Sequence, residues 1–130
     1  MDVSNTEEYF SKGLDLFDNY RHSTLVNVGF GPHAPYTVSD ASFERVAVLA
    51  EEIETHIQVH LQESAAEVAD SVRDYGVSPI ERLHRLGVLG PRTQAVHLTQ
   101  FNKRDIELLA QSNTSAIHCP ASNAKLASGY

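Results

Sequence analysis

Ile57-Gln58-Val59-His60-Leu61-Gln62-Glu63 reads as a short strand whose C-terminal end carries a histidine, with a carboxylate on the turn that follows. The strand-end histidine, with a polar companion, recurs at Phe30-Gly31-Pro32-His33, at Val96-His97-Leu98-Thr99 and at Ile117-His118-Cys119-Pro120. Four apolar runs supply the strands: Leu25–Phe30, halted by Gly31-Pro32, then Ile57–Leu61, Ala95–Leu98 and Ser115–His118. Each is short and bounded by breakers, the pattern of buried strands.

Helices are predicted between them. Ser4-Asn5-Thr6-Glu7 opens a helix whose Phe10, Leu14, Leu16 and Phe17 carry it to about Tyr20. Ser39 and Asp40 cap a second, with Phe43, Val46, Leu49, Ala50 and Ile53 at helical spacing. A third spans Ala65 to Tyr75 and ends at Gly76, a C-cap glycine. Ser78-Pro79-Ile80-Glu81 starts a fourth, which ends near Gly87; a fifth covers Asp105 to Gln111. Cys119 to Tyr130 reads as a loop of small polar residues.

Strands alternating with helices predict a parallel sheet covered by helices. Right-handed crossovers leave an open doubly wound sheet or an eight-stranded barrel, and four strands are too few to close the barrel. In such a barrel the C-terminal strand ends share one face, where the loops build the active site. Residues far apart in sequence then converge. Neutral imidazoles suit zinc or iron, and a nearby carboxylate suits proton transfer.

Each residue also has a plainer reading. A lone histidine at a strand end is commonly a hydrogen-bonded structural residue, and it is the fourfold recurrence that favours function. Glu63 alone fits a helix N-terminal carboxylate favoured by the macrodipole. Cys119 reads as a small buried hydrophobe rather than a nucleophile. His22, His56 and His84 fall outside the strand ends and read as solvent-facing or structural, and Asp40, Asp70, Asp74 and Glu51-Glu52 as a solvated helix face.

Composition bounds the rest. The 130 residues fit one small domain, with 42% hydrophobic and 21% charged residues. A net charge of -7 argues against nucleic-acid or anionic-membrane partners. No apolar run is long enough to span a bilayer, and the acidic N-terminal stretch lacks a signal-peptide core. A single cysteine allows no internal disulfide, which suits a cytoplasmic location. It also excludes the cytidine-type zinc deaminases, which need Pro-Cys-x-x-Cys.

The motifs resemble a known family. His33-Ala34-Pro35-Tyr36-Thr37-Val38-Ser39 is similar to the fourth-strand motif of the 5′-methylthioadenosine/S-adenosylhomocysteine deaminases, of the amidohydrolase superfamily. Val59-His60-Leu61-Gln62-Glu63-Ser64 resembles their fifth-strand motif and Ala95-Val96-His97-Leu98-Thr99-Gln100 their sixth. The stretch from His118 to Gly129, His-Cys-Pro-Ala-Ser-Asn-Ala-Lys-Leu-Ala-Ser-Gly, resembles the seventh-strand signature, shared with guanine deaminases and triazine hydrolases. The likeness runs from about Glu8 to the last residue.

The resemblance implies a partial TIM (β/α)8 barrel: α/β, about four parallel strands (barrel strands 4 to 7) with flanking helices, residues 1–130 being a central segment incomplete at both ends. It implies hydrolytic deamination of an adenosine-type purine nucleoside, with one divalent metal, usually zinc. His60 would be a metal ligand. Glu63 would hydrogen-bond the purine and shuttle a proton to its ring nitrogen. His97 would orient or deprotonate the attacking water, His33 would bind the purine from the other side, and Asn123 with Ser122 would line the pocket. Gln62 stands where relatives often carry a second histidine.

The family's His-x-His pair and its eighth-strand aspartate have no counterparts here, so one of four expected protein ligands is present. A catalytic zinc needs at least three. The isolated chain is therefore expected to be inactive, with open barrel edges inviting self-association. The alternatives are a guanine deaminase or chlorotriazine hydrolase of the same superfamily, or a non-catalytic truncated barrel.

Overall fold

The structure, a computed structural model, describes residues 3–129. The order is α1 (Val3–Tyr20), α2 (Asp40–Glu52), β1 (Ile57–Leu61), α3 (Ala65–Tyr75), α4 (Pro79–Arg85), β2 (Thr93–His97), α5 (Lys103–Ser112), β3 (Ser115–Ile117) and α6 (Pro120–Leu126). The strands form one parallel sheet in the order β1-β2-β3. Its register sets Leu61 beside His97 and Val96 beside Ile117.

The expected first strand is reduced to a bridge between Phe30 and Ile57. Phe30 N–H donates to His56 O at 3.0 Å, and Gln58 N–H to Phe30 O at 2.9 Å. The next donor on that segment would be Pro32, which has no N–H, so the ladder stops. It resumes off register, where His60 N–H donates to His33 O at 3.1 Å. Upstream, Leu25 is 95% exposed, so that end of the apolar run finds nothing to pack against.

One face of the sheet is covered. Ile57, Val59 and Leu61 of β1 are buried against Phe43, Val46 and Ala50 of α2, Ile80 and Leu83 of α4, and Leu108 of α5. Fully burying a side chain of this size stabilises the fold by about 1.5–3 kcal/mol. The alternate residues, Gln58 and His60, face outward on the open side, where Gln58 Nε2 donates to Gln94 Oε1 at 3.2 Å.

Serine caps fix the helix starts. Ser39, Ser64 and Ser78 accept from the N–H groups of Ser42, Glu67 and Glu81. Gly76, at φ 74°, ends α3 in the left-handed conformation that glycine tolerates best. β2 begins at Thr93 and ends at His97, and β3 ends at Ile117, against the Ala95–Leu98 and Ser115–His118 of the sequence reading, and two helix readings differ as well. α5 begins at Lys103, because Asn102 and Asp105 cap each other reciprocally, a box built from Asn and Asp instead of Ser/Thr and Glu. The tail read as a loop contains α6, with Pro120 in its first turn. Its small polar residues are weak helix formers, and a buried contact through Asn123 anchors it.

Candidate active site

Three of the four strand-end histidines meet. The rings of His33 and His60 lie 5.2 Å apart between centroids, and those of His60 and His97 lie 5.4 Å apart in a stack. The fourth, His118, follows β3 and is exposed. It borders a cavity of about 700 Å³ that His97, Phe101, Ile106 and Ile117 also line. His22 and His84 are exposed and His56 is half-buried, all outside the stack.

His60 stands on the open face of β1 and its Nδ1 is bonded to His33 O at 2.8 Å. That carbonyl can only accept, so Nδ1 carries the hydrogen and Nε2 is left with its lone pair. A ring held this way by a carbonyl is oriented as metal-binding histidines are. His60 therefore fits one ligand position. Among the described residues no group of three His, Cys, Asp or Glu could hold a metal ion. The donor set present supplies one ligand and not a complete site.

His33 lies in the turn after the Phe30 bridge. Its Nδ1 is 2.9 Å from Thr37 Oγ1, and Tyr36 meets it edge-on with centroids 5.8 Å apart. That turn is clamped from α4. Arg82, 5% exposed, donates from Nη1 to Pro35 O at 2.8 Å and from Nε to Asp40 Oδ1 at 2.8 Å, with its guanidinium 3.8 Å from the Tyr75 ring centroid.

Glu63 follows β1 on a loop that a neighbouring carboxylate holds. Glu67 Oε1 accepts from Gln62 N–H and Oε2 from Glu63 N–H, each at 2.9 Å. Thr99 Oγ1 donates to Glu63 O at 2.8 Å, tying this loop to the one after β2. Burial pushes the Glu67 carboxyl above its ordinary value; the two N–H bonds oppose that, and the Glu63 charge adds to it. Burial, with the Glu67 and Glu63 carboxylates close by, also raises the Tyr36 phenol.

Gln62 is fully buried at φ 51°. Its side-chain oxygen accepts from Ile80 N–H at 3.0 Å, and its Nε2 donates to Gln100 O and to Asp105 Oδ2, the latter at 3.4 Å. Asp105 Oδ1 accepts from the Ser78 hydroxyl at 2.5 Å. One neutral side chain thus joins β1, the loop after β2 and the N-terminal ends of α4 and α5.

His97 is 7% exposed, with Nε2 3.5 Å from Glu63 Oε1 and Nδ1 2.9 Å from Asn123 Oδ1. Asn123 is fully buried behind it, while Ser122 is half-buried and Cys119 precedes α6 as its N-cap. His60, Glu63, His97 and His33 therefore share one mouth at the C-terminal ends of the strands. Tyr36, Glu67 and Thr99 belong to the same surroundings without having been singled out in the sequence. Tyr36 and Thr99 lay inside quoted motifs, whereas Glu67 looked like an ordinary first-turn acid.

The chain is similar to known proteins. A 5-methylthioadenosine/S-adenosylhomocysteine deaminase of Saccharophagus degradans is 55% identical over 127 residues, 98% of this chain and 28% of the relative. A 5′-deoxyadenosine deaminase of Methanothermobacter thermautotrophicus is 40% identical over 104 residues, 80% of this chain and 24% of the relative. Among solved structures, an adenosine deaminase from Xanthomonas campestris with bound zinc superposes with a TM-score of 0.92 at 48% identity, covering 95% of this chain and 28% of that one. The chain thus spans less than a third of the length of these proteins, and its parallel sheet with flanking helices is part of their TIM barrel. The model of the Amidohydrolase family matches residues 4–130, and with the histidines and glutamate gathered at the strand ends the chain belongs to that family.

Proposed function

We propose that this chain is the central segment of a metal-dependent deaminase barrel acting on adenosine-type purine nucleosides, 5′-methylthioadenosine and S-adenosylhomocysteine foremost. The observation that carries the reading is the Glu63–His97 pair beside the ring of His60, whose Nε2 is left free. Guanine deaminase or chlorotriazine hydrolysis is the alternative within the family.

His60 would hold one coordination position of a divalent cation, zinc foremost, with the remaining ligands supplied by parts of a longer barrel. Such a cation supplies Lewis acidity, lowering the pKa of a water toward about 7. The chain's own residues do the rest. His33, steadied by Thr37 and the Arg82 clamp, hydrogen-bonds the purine on one side. Glu63 hydrogen-bonds it on the other and delivers a proton to the ring nitrogen, which makes C6 electrophilic. His97 orients the attacking water, takes its proton and passes it to the amino nitrogen of the tetrahedral adduct at C6, so that ammonia leaves while the adduct's hydroxyl proton returns to Glu63. A positioned acid or base of this kind contributes about 10²–10⁴-fold to rate.

The assignment extends to a small-molecule substrate, without nucleic acid or membrane as partner, in the cytoplasm. Among the described residues no helix is long and apolar enough to cross a membrane. The isolated chain is read as inactive and prone to self-association along β3, all of whose residues are exposed.

The test is a product assay on a full-length enzyme containing this segment, offered methylthioadenosine, guanine and a chlorotriazine. Ammonia and the inosine analogue from the nucleoside are expected. Turnover of guanine or the triazine alone would overturn the substrate assignment.

A further inference from the structure

We propose that Gln62 is a positioning residue: its buried amide ties the loop after β2 to the loop after β1 and so sets the approach of His97 to Glu63. The inference rests on the deaminase reading above for what that approach accomplishes.

Strand alternation would put Gln62 with Gln58 and His60 on the open face of β1. Instead its backbone turns left-handed, at φ 51°, and its side chain is fully buried. That conformation is costly for a residue with a side chain and persists where the surroundings hold it. The orientation of the amide is settled at both ends. Ile80 N–H can only donate, so the atom it meets at 3.0 Å is Oε1. Gln100 O can only accept, so the group that reaches it is Nε2. The second hydrogen on Nε2 is left for Asp105 Oδ2 at 3.4 Å.

These bonds join two loops where each carries a functional residue. Glu63 follows Gln62 directly, and His97 precedes Thr99 by two residues. Gln62 O accepts from Thr99 N–H at 3.1 Å and from Gln100 N–H at 3.3 Å, while Nε2 donates back to Gln100 O. Two bonds to one carbonyl oxygen leave a hinge, and the third, running the other way, closes it. The far end of the amide is anchored on α4 through Ile80 and on α5 through Asp105, so the grip is referred to helices. Across this junction His97 Nε2 lies 3.5 Å from Glu63 Oε1. In the proposed reaction each of these groups hands a proton to one substrate, and such transfers need contacts of about 2.6–3.2 Å. A displacement of about 1 Å between reacting groups can lower a rate about 100-fold.

Gln62→Met keeps the bulk and removes the amide's bonds. Ser78→Ala is the control: it removes the α4 cap and the bond to Asp105 Oδ1, on the far side of the network, and leaves the contacts of Gln62 in place. In the 130-residue chain, amide exchange at Thr99 and Gln100 should quicken with Gln62→Met and not with Ser78→Ala. In a full-length enzyme containing this segment, Gln62→Met should lower kcat for methylthioadenosine about 10- to 100-fold, with KM within about threefold, and Ser78→Ala should change neither. Unchanged exchange at those two amides overturns the proposal. So does a preserved kcat, or an equal loss of kcat in both variants, which would mark lost stability alone. In the wild-type chain the side-chain NH2 of Gln62 should itself exchange slowly; rapid exchange overturns the proposal even if Gln62→Met does not fold. Loosened amides in a protein whose full-length form deaminates no purine would sink the functional reading and leave the tie between the loops standing. Deamination with undisturbed amides would do the reverse.

Discussion

The imidazole of His97 stacks on that of His60, with centroids 5.4 Å apart and ring planes 28° from parallel. Strand geometry alone would not bring them together. His97 pairs with Leu61 in the register, and strict alternation would aim it with Ala95 toward the covering helices. Left-handed backbone at His97 and Leu98, φ 81° and 49°, breaks the alternation at the end of β2. Such conformations cost about 1–3 kcal/mol each and cluster at functional sites.

The strain gives a first prediction. Leu98→Gly removes the side-chain penalty at φ 49° but also loosens the turn that holds His97. Leu98 is packed against the core, so lost burial offsets the backbone gain. Thermal denaturation should show a net change within about 1 kcal/mol, while hydrogen exchange at residues 97–100 becomes faster. Unchanged exchange there would mean that the backbone at Leu98 does not control the turn.

Gln62 should matter more for stability than a neutral loop residue normally does. Gln62→Ala leaves the buried Ile80 N–H without its acceptor and removes a donor from Asp105 and Gln100. Orphaned buried groups cost about 1–3 kcal/mol, and urea denaturation should show a loss of about 2 kcal/mol. A loss below about 0.5 kcal/mol would mean that the network adds nothing to surface-level effects.

Much of this architecture is legible in the sequence, for local physical reasons. Ser39 and Ser78 announce their helices because a cap bond is satisfied within four residues. His33, His60 and His97 are found because a parallel sheet collects strand ends on one side. What escapes depends on distant partners. The shortening of the first strand turns on Pro32 facing a ladder position that only the register with β1 defines. α6 depends on Asn123 reaching His97, 26 residues away. Gln62, noted only as a departure from relatives, proves central because Ile80, Gln100 and Asp105 meet around it.

Arg82 should control the turn carrying His33 and Tyr36. Arg82→Met keeps the aliphatic bulk but removes the bonds to Pro35 O and Asp40. Asp40 is 47% exposed, so water replaces much of what it loses, and the expected cost is about 1–3 kcal/mol, less than for a fully buried pair. Faster amide exchange at residues 33–38 should accompany it. Normal exchange there would leave Arg82 a packing residue only.

Glu67 sets a pH dependence whose sign follows from its environment. Burial raises its folded-state pKa above the ordinary 4.5, so the folded chain holds this proton more tightly than the unfolded chain. Its contribution to stability is greatest below that value and declines as pH rises through the raised one. Relative to Glu67→Gln, which does not titrate, the wild-type chain should lose stability on going from pH values below 4.5 toward neutrality. Urea titrations of both proteins across that range measure the difference. A gap independent of pH, or widening in favour of wild type, would contradict the assignment.

Glu63 offers the sharpest test of the chemistry. Its backbone is held by Glu67 and Thr99, so Glu63→Gln should keep the loop in place and remove only the carboxylate. Glutamine can still hydrogen-bond a purine but cannot pass a proton to it. In a full-length enzyme containing this segment, kcat for methylthioadenosine should fall about 100- to 10,000-fold, the range expected for a lost general acid, with KM changed far less. A fall of less than about tenfold would move proton delivery to another group. A rise in KM with kcat preserved would leave Glu63 a binding residue only.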